Sequence, residues 1–339
     1  MDNYYSMYPG YPGQPYADIR PNKYEKRRIK RVYSGAAWVL IASELVTLIF
    51  ALIITGIYEA NGIDPAATNE EGQYLNTVSF MFYGYMSVTF SNILIILLSS
   101  IIFKKNLTDL FRDTSKLTPG RLTLTALIAL GTAQVVYFLD SLIYLGLDSI
   151  GYMVDVPDVT DPMSGGAVVM DVLTTVVFAP IFEELLYRGI IMRRLCRVSR
   201  SFAIFTSALI FGLIHGNIYQ FILGFAAGVV FAYADIRMNS IIPSIIAHMA
   251  INGHSYIYEL FGGLPEEQQE MVQSFGMGMF FIAGVIALVI AGVKYGIRFP
   301  EYDEYHKKRT LPILVASVPA WVCMCYFIFS IAITFVPVK

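Results

Sequence analysis

Charge is scarce in this sequence. Of its 339 residues only 15% are Asp, Glu, Lys or Arg, against roughly 25% in a soluble globular domain, and that shortage excludes an ordinary water-facing surface. Cysteine is nearly absent as well. Of the three, Cys196 lies in a basic turn, while Cys323 and Cys325 stand two apart on one predicted helix and so on different faces. Neither a disulfide framework nor a thiolate metal site follows from them. Histidine occurs four times, and the zinc-protease pattern H-E-x-x-H does not occur. There is no internal repeat of the kind that builds the inverted halves of a transporter.

What fills the chain is apolar: 56% of it is hydrophobic. Runs long enough to cross a hydrocarbon core of ~30 Å recur at 33–58, 77–103, 121–147, 167–195, 201–217, 218–234, 240–256, 276–293 and 311–336. The expected fold is an all-α polytopic transmembrane bundle of nine spans, or eight if 201–234, which meets at "HGNIYQ", is one kinked element. Four regions follow: a disordered tail over 1–32, N-terminal transmembrane helices over 33–150, a core over 165–258, and C-terminal helices over 274–339. The tail begins rich in Tyr, Pro and Gly and ends in a basic cluster suited to anionic headgroups. The first apolar run is too long for a cleaved signal sequence and is expected to stay as an anchor.

The few charges are sorted by loop. Lys104, Lys105, Arg112, Lys116 and Arg121 fall in one loop, Arg193, Arg194, Arg197 and Arg200 in a second, and Lys294, Arg298, Lys307, Lys308 and Arg309 in a third. The alternate loops, "EANGIDPAATNEEGQY", "DSIGYMVDVPDVTDPMSGG" and "ELFGGLPEEQQEMVQ", contain neither Lys nor Arg. By the positive-inside rule the basic loops and the N-terminus are cytoplasmic, and nine spans put the C-terminus outside.

Against this background "FAPIFEELLYRGIIMRRL", residues 178–195, stands out. A charge at bilayer depth costs at least ~2.5 to 3.5 kcal/mol on insertion scales and faces a bundle interior or a wet cavity. Glu183 lies about ten residues above the Arg193 turn, roughly 15 Å at 1.5 Å per residue. Adjacent helical residues point about 100° apart, so Glu183 and Glu184 cannot do the same work, whereas Glu184 and Arg188 at i and i+4 share a face. The expectation is a structural Glu184–Arg188 pair that leaves Glu183 aimed elsewhere as a base, with Pro180 kinking the helix just before it. Two further spans carry "FGLIHG", with Phe211 and His215 on one face, and "HMAIN", with His248 and Asn252 on one face. His254 and His306 are read as bystanders, Asp140 as satisfied locally, and Glu44 as packed on the bundle. Gly212 with Gly216, and Gly224 with Gly228, form small-xxx-small pairs expected to bring helices close.

E-E-x-x-x-R, F-x-x-x-H and H-x-x-x-N, in that order over about 168–256, resemble the CPBP (Abi) family of intramembrane glutamic endopeptidases, which includes the CAAX-processing proteases. The resemblance implies that Glu183 and His215 activate a water, that His248 and Asn252 form an oxyanion hole, and that Glu184, Arg188 and Phe211 are supporting residues. It implies no cofactor and no metal. The chemistry is coherent on its own terms, since peptide hydrolysis needs a base for water and donors at the developing oxyanion. The partners expected are the lipid bilayer and a peptide or lipid-modified protein substrate, with no nucleic acid, and with the site opening to the cytoplasmic side. Three other readings use the same residues: a zinc-dependent membrane protease, a non-catalytic protein of the same fold such as a bacteriocin-immunity factor or scaffold, and a transporter with Glu183 as a proton site.

Overall fold

The computed structural model describes residues 23–64, 67, 77–104, 106–111, 114–155, 166–259, 261, 264–298 and 317–338. They form nine helical runs: α1 (Lys23–Ala60), α2 (Thr77–Ile102), α3 (Pro119–Ser149), α4 (166–195), α5 (Arg200–Leu213), α6 (Ile218–Met238), α7 (Ile242–Glu259), α8 (Glu266–Tyr295) and α9 (Val318–Ala332). The all-α membrane bundle expected from the sequence is what is found. Five stretches, 26–60, 82–102, 119–149, 218–238 and 266–295, are long and apolar enough to cross a membrane. The helix α1 begins at Lys23, so the basic cluster placed in a tail up to residue 32 is helical from that point on; the earlier tail residues and His306 lie outside the described residues.

One small element was not expected. A two-stranded antiparallel ribbon pairs β1 (Tyr152–Val154) with β2 (Phe335–Pro337), in the register Tyr152 to Pro337. It ties the end of the chain to the segment just after α3, and its β-branched and aromatic residues are too few to stand out from the flanking apolar helices.

The basic segments gather at one end of the bundle. Arg194, in the last turn of α4, donates to the carbonyls of Arg31 at 2.8 Å and Val32 at 3.2 Å in α1. Lys116 reaches the carbonyl of Arg237 at 3.4 Å, and Arg237 donates to the carbonyls of Tyr295 and Gly296, each at 3.2 Å. The ribbon lies at the other end, just past the close of α3 at Ser149.

Two caps and a contact set the α5–α6 corner. Ser199 accepts from Phe202 N–H to start α5, and Asn217 accepts from Gln220 N–H to start α6. The two helices touch at Gly212 and Gly224, where a Cβ on Gly212 would lie 2.5 Å from the Phe221 carbonyl oxygen and one on Gly224 2.9 Å from Gly212 Cα. Gly216 has a different task from the packing expected of it: nothing lies near its missing side chain, and its φ of +73° makes the turn. With fourteen residues α5 is about 21 Å long, short of the ~30 Å core, so the corner stops before the far side of the bilayer.

The bundle's polarity yields a labelling prediction. In a chain with its three cysteines replaced, single cysteines at Ser115 and at Glu266 label from opposite faces of sealed membranes; labelling of both from one face would break this arrangement.

Candidate active site

The run α4 is where local structure departs most from a plain helix. It alternates α and π geometry: π over Leu173–Phe178, α over Ala179–Glu184, π over Leu185–Met192. π segments are rare and concentrate at functional sites. Pro180 explains one consequence. In the first π segment Ala179 N–H bonds the carbonyl of Thr174, an i to i−5 step. The next donor in that register is Pro180, which has no N–H. The Thr175 carbonyl is left for another donor, and Asn252 Nδ2 supplies one at 2.8 Å. A proline three residues before the first motif thereby holds the asparagine of the third.

Glu184 and Arg188 are both fully buried, with Glu184 Oε2 3.1 Å from Arg188 Nε. The N–H is not aligned on that oxygen, so the contact is an ion pair without a good hydrogen bond. Arg188 lies between aromatic faces, 4.2 Å from the Phe211 ring centre and 5.4 Å from that of Phe231, and Nη2 reaches the Gly228 carbonyl at 3.5 Å. A desolvated cation on a ring face is stabilised by about 2 kcal/mol. A side chain at residue 228 would meet this guanidinium at 3.1 Å, so Gly228 makes room for the cation.

His248 completes the group. Its Nδ1 lies 3.0 Å from Glu184 Oε1 and its Nε2 3.9 Å from Glu183 Oε2. Since a carboxylate only accepts, Nδ1 is the donor. Phe211 is the common wall: its ring packs edge-on to His215 at 5.1 Å and to His248 at 5.4 Å, while Phe231 stacks on His248 at 5.5 Å. His215 Nδ1 is 2.7 Å from the Phe211 carbonyl. That oxygen accepts, so Nδ1 carries the proton and the neutral ring presents an unprotonated Nε2.

Glu183, His215, His248 and Asn252 all line a single cavity of about 700 Å³ between α2, α4, α5, α6 and α7. Glu184 and Arg188 stand behind it. The spacing rule that separated the two glutamates is thus reproduced: Glu184 is taken by Arg188 and His248, and Glu183 Oε2 has no hydrogen-bond partner among the described residues. Phe211 also lines the cavity.

Two expectations need correcting. Asp140 is not satisfied locally, as Oδ1 is buried without a hydrogen-bond partner among the described residues. The mouth is also at the other end. The exposed rim residues Gly84, Gln220 and Ser255 belong to the start of α2, the start of α6 and the end of α7, the ends away from the basic loops. An opening to the cytoplasmic side would lie by the basic loops, whereas the early stop of α5 leaves space at the opposite end. The bystander reading of His254 fits its surroundings: it is buried against Phe280 at 4.8 Å and Tyr137 at 6.3 Å. Glu44 does meet the bundle, accepting from Tyr326 at 3.4 Å.

Sequence reasoning missed Asp171. It is buried, and both Tyr85 of α2 and Tyr256 of α7 donate to it, as does Thr175 Oγ1 at 3.1 Å. This strap joins three helices beside the mouth and holds the residue whose carbonyl carries Asn252. Its signal was Asp171 four residues before Thr175 in an otherwise apolar run.

Residues 165–254 match the family model described as type II CAAX prenyl endopeptidase Rce1-like. Over 117 residues the chain is 30% identical to a Bacillus subtilis (strain 168) protein named "Putative membrane peptidase YdiL". That match covers 34% of this chain and 48% of the other, so it spans about half of the relative's length. No solved structure matches.

The proline argument is testable. Pro180→Ala restores an N–H that competes with Asn252 for the Thr175 carbonyl, and in a detergent-solubilised sample isotope-labelled at asparagine the Asn252 side-chain amide signal shifts toward a freely rotating amide. An unchanged signal would show that the proline does not set the asparagine.

Proposed function

We propose that this chain is an intramembrane endopeptidase that hydrolyses a peptide bond with a water activated by Glu183 and His215. The observation that carries the reading is the convergence of Glu183, His215, His248 and Asn252 on one cavity, with Glu184 and Arg188 held behind it. The Rce1-like match over the same segment supports it.

The geometry suits a division of labour. Glu183 has an unsatisfied oxygen, and His215 offers an unprotonated Nε2, so the two together orient a water and accept its proton. The water oxygen bonds to the scissile carbonyl carbon, and the carbonyl oxygen takes the negative charge. Asn252 has a second N–H beyond the one given to Thr175. His248 supplies a further donor at Nε2 when its ring carries both protons. Two donors on the oxyanion are each worth ~10²–10³ in rate. Collapse breaks the C–N bond, and the proton held at Glu183 passes to the departing amine.

The zinc reading asks more of these residues. Both Nδ1 atoms are engaged, and among the described residues no three His, Cys, Asp or Glu side chains converge as a metal-binding group. With the basic loops in the cytoplasm, the mouth faces the opposite side. The substrate is then a peptide, or the end of a lipid-modified protein, presented from that side or from the adjoining leaflet.

Glu183→Gln keeps the shape and removes the base, so cleavage of a membrane-embedded peptide library, read by mass spectrometry, falls by about 10²–10⁴-fold with unchanged melting. Full turnover in that variant refutes the mechanism. Wild-type protein stripped by a strong chelator, and shown metal-free by elemental analysis, retains its turnover; a loss restored only by zinc would replace this reading with the metalloprotease.

A further inference from the structure

A second cavity, of about 390 Å³, lies at the basic end of the bundle between α3, α6 and α8. Its size falls within the roughly 300–1,000 Å³ of small-ligand pockets. It shares no residue with the active site. Its character changes along its length. The inner wall is hydrocarbon, from Ile128, Val230 and Ala291, and its open edge at Leu288 and Ile297 is exposed where the bilayer would lie. The end nearer the loops carries Lys116, Arg121 and Arg237.

These three cations are held in place by the backbone and not by acids. Arg121 Nη1 donates to the Lys116 carbonyl at 3.3 Å and stacks 4.5 Å over the Tyr295 ring, while Lys116 and Arg237 donate to carbonyls as described above. Among the described residues no carboxylate lines the cavity or comes within ion-pair distance of the three. Asp235, two residues before Arg237, is buried and accepts from the Ser244 hydroxyl at 2.8 Å. A carbonyl orients a guanidinium without cancelling its charge, and each arginine retains further N–H groups. The result is three positive charges fixed at one mouth of an apolar slot.

We infer that this cavity is a binding site for a membrane phospholipid with an anionic headgroup, its phosphate among Lys116, Arg121 and Arg237 and its acyl chain along Ile128, Val230 and Leu288. Basic pockets between helices on the cytoplasmic side are suited to anionic headgroups, and the charge asymmetry of the loops assigns this end to the cytoplasm. A soluble anion would gain nothing from the hydrocarbon wall. A zwitterionic lipid would bring its own cation toward three others. The bound lipid would also bridge α3, α6 and α8, and α6 carries Phe231 of the active-site wall and Gly228 beside Arg188.

The full-length protein in nanodiscs of equal phosphatidylglycerol and phosphatidylcholine, released into the gas phase for native mass spectrometry, retains phosphatidylglycerol at least ~10-fold over phosphatidylcholine, three cations against one phosphodiester charge making such a preference. Arg121→Gln combined with Lys116→Gln removes the preference. Ala291→Trp, which fills the slot and leaves every cation in place, lowers retention of both lipids while melting stays that of a folded protein, so a misfolded arginine variant does not decide the matter. Equal retention of the two lipids by the wild type, unchanged retention in Ala291→Trp, or full competition by inorganic phosphate at the lipid's concentration would overturn the assignment.

Discussion

Glu184 is a carboxylate with no exposed surface, and the site depends on how it is neutralised. Alone in hydrocarbon it would be expelled or protonated. Here Arg188 meets one oxygen and His248 the other. The contact with His248 pins α4 to α7, and the guanidinium's stacking on Phe211 and Phe231 brings in α5 and α6. A buried pair of this kind is weak evidence for stability, because replacing it with hydrocarbon is often neutral, whereas breaking one half costs about 3–5 kcal/mol. Its effect is positional: it sets the rotation of α4, and the adjacent residue, Glu183, is then turned into the cavity.

The cavity exists because two rules of a membrane helix are broken beside each other. α5 is too short to span, and α4 leaves the α register twice. The short helix ends at Leu213, and the turn at Gly216 leaves space above His215. The π segments with Pro180 release a carbonyl, which Asn252 answers. Unsatisfied backbone at membrane depth is tolerated only where protein or a water-filled cavity meets it, and here it is met by residues of the site. The Asp171 strap closes the same corner, with two tyrosines and a threonine around one buried carboxylate.

Much of this was legible in the sequence. The helical runs follow from hydropathy, the segregation of the basic loops from charge, and the different tasks of Glu183 and Glu184 from the 100° between neighbours. Periodicity cannot say how far a short apolar run reaches before it turns, so the end at which the cavity opens was misread. Nor can it reveal a π register, since Leu, Ile and Val fit α and π alike. Asp171 was overlooked because its partners, Tyr85 and Tyr256, lie 86 and 85 residues away. The ribbon of β1 and β2 was hidden for the same reason, its halves being brought together only by the bundle.

The central claim is that Glu184 and Arg188 form one buried unit that positions Glu183, and a double-mutant cycle read by thermal unfolding tests it directly. Glu184→Gln and Arg188→Met are each expected to destabilise the protein, and the double variant to recover most of the loss, with a coupling of at least about 1 kcal/mol, inside the range for residues in contact. Additive losses would contradict the account, since they would mean that the two charges do not depend on each other and that something else turns Glu183 into the cavity.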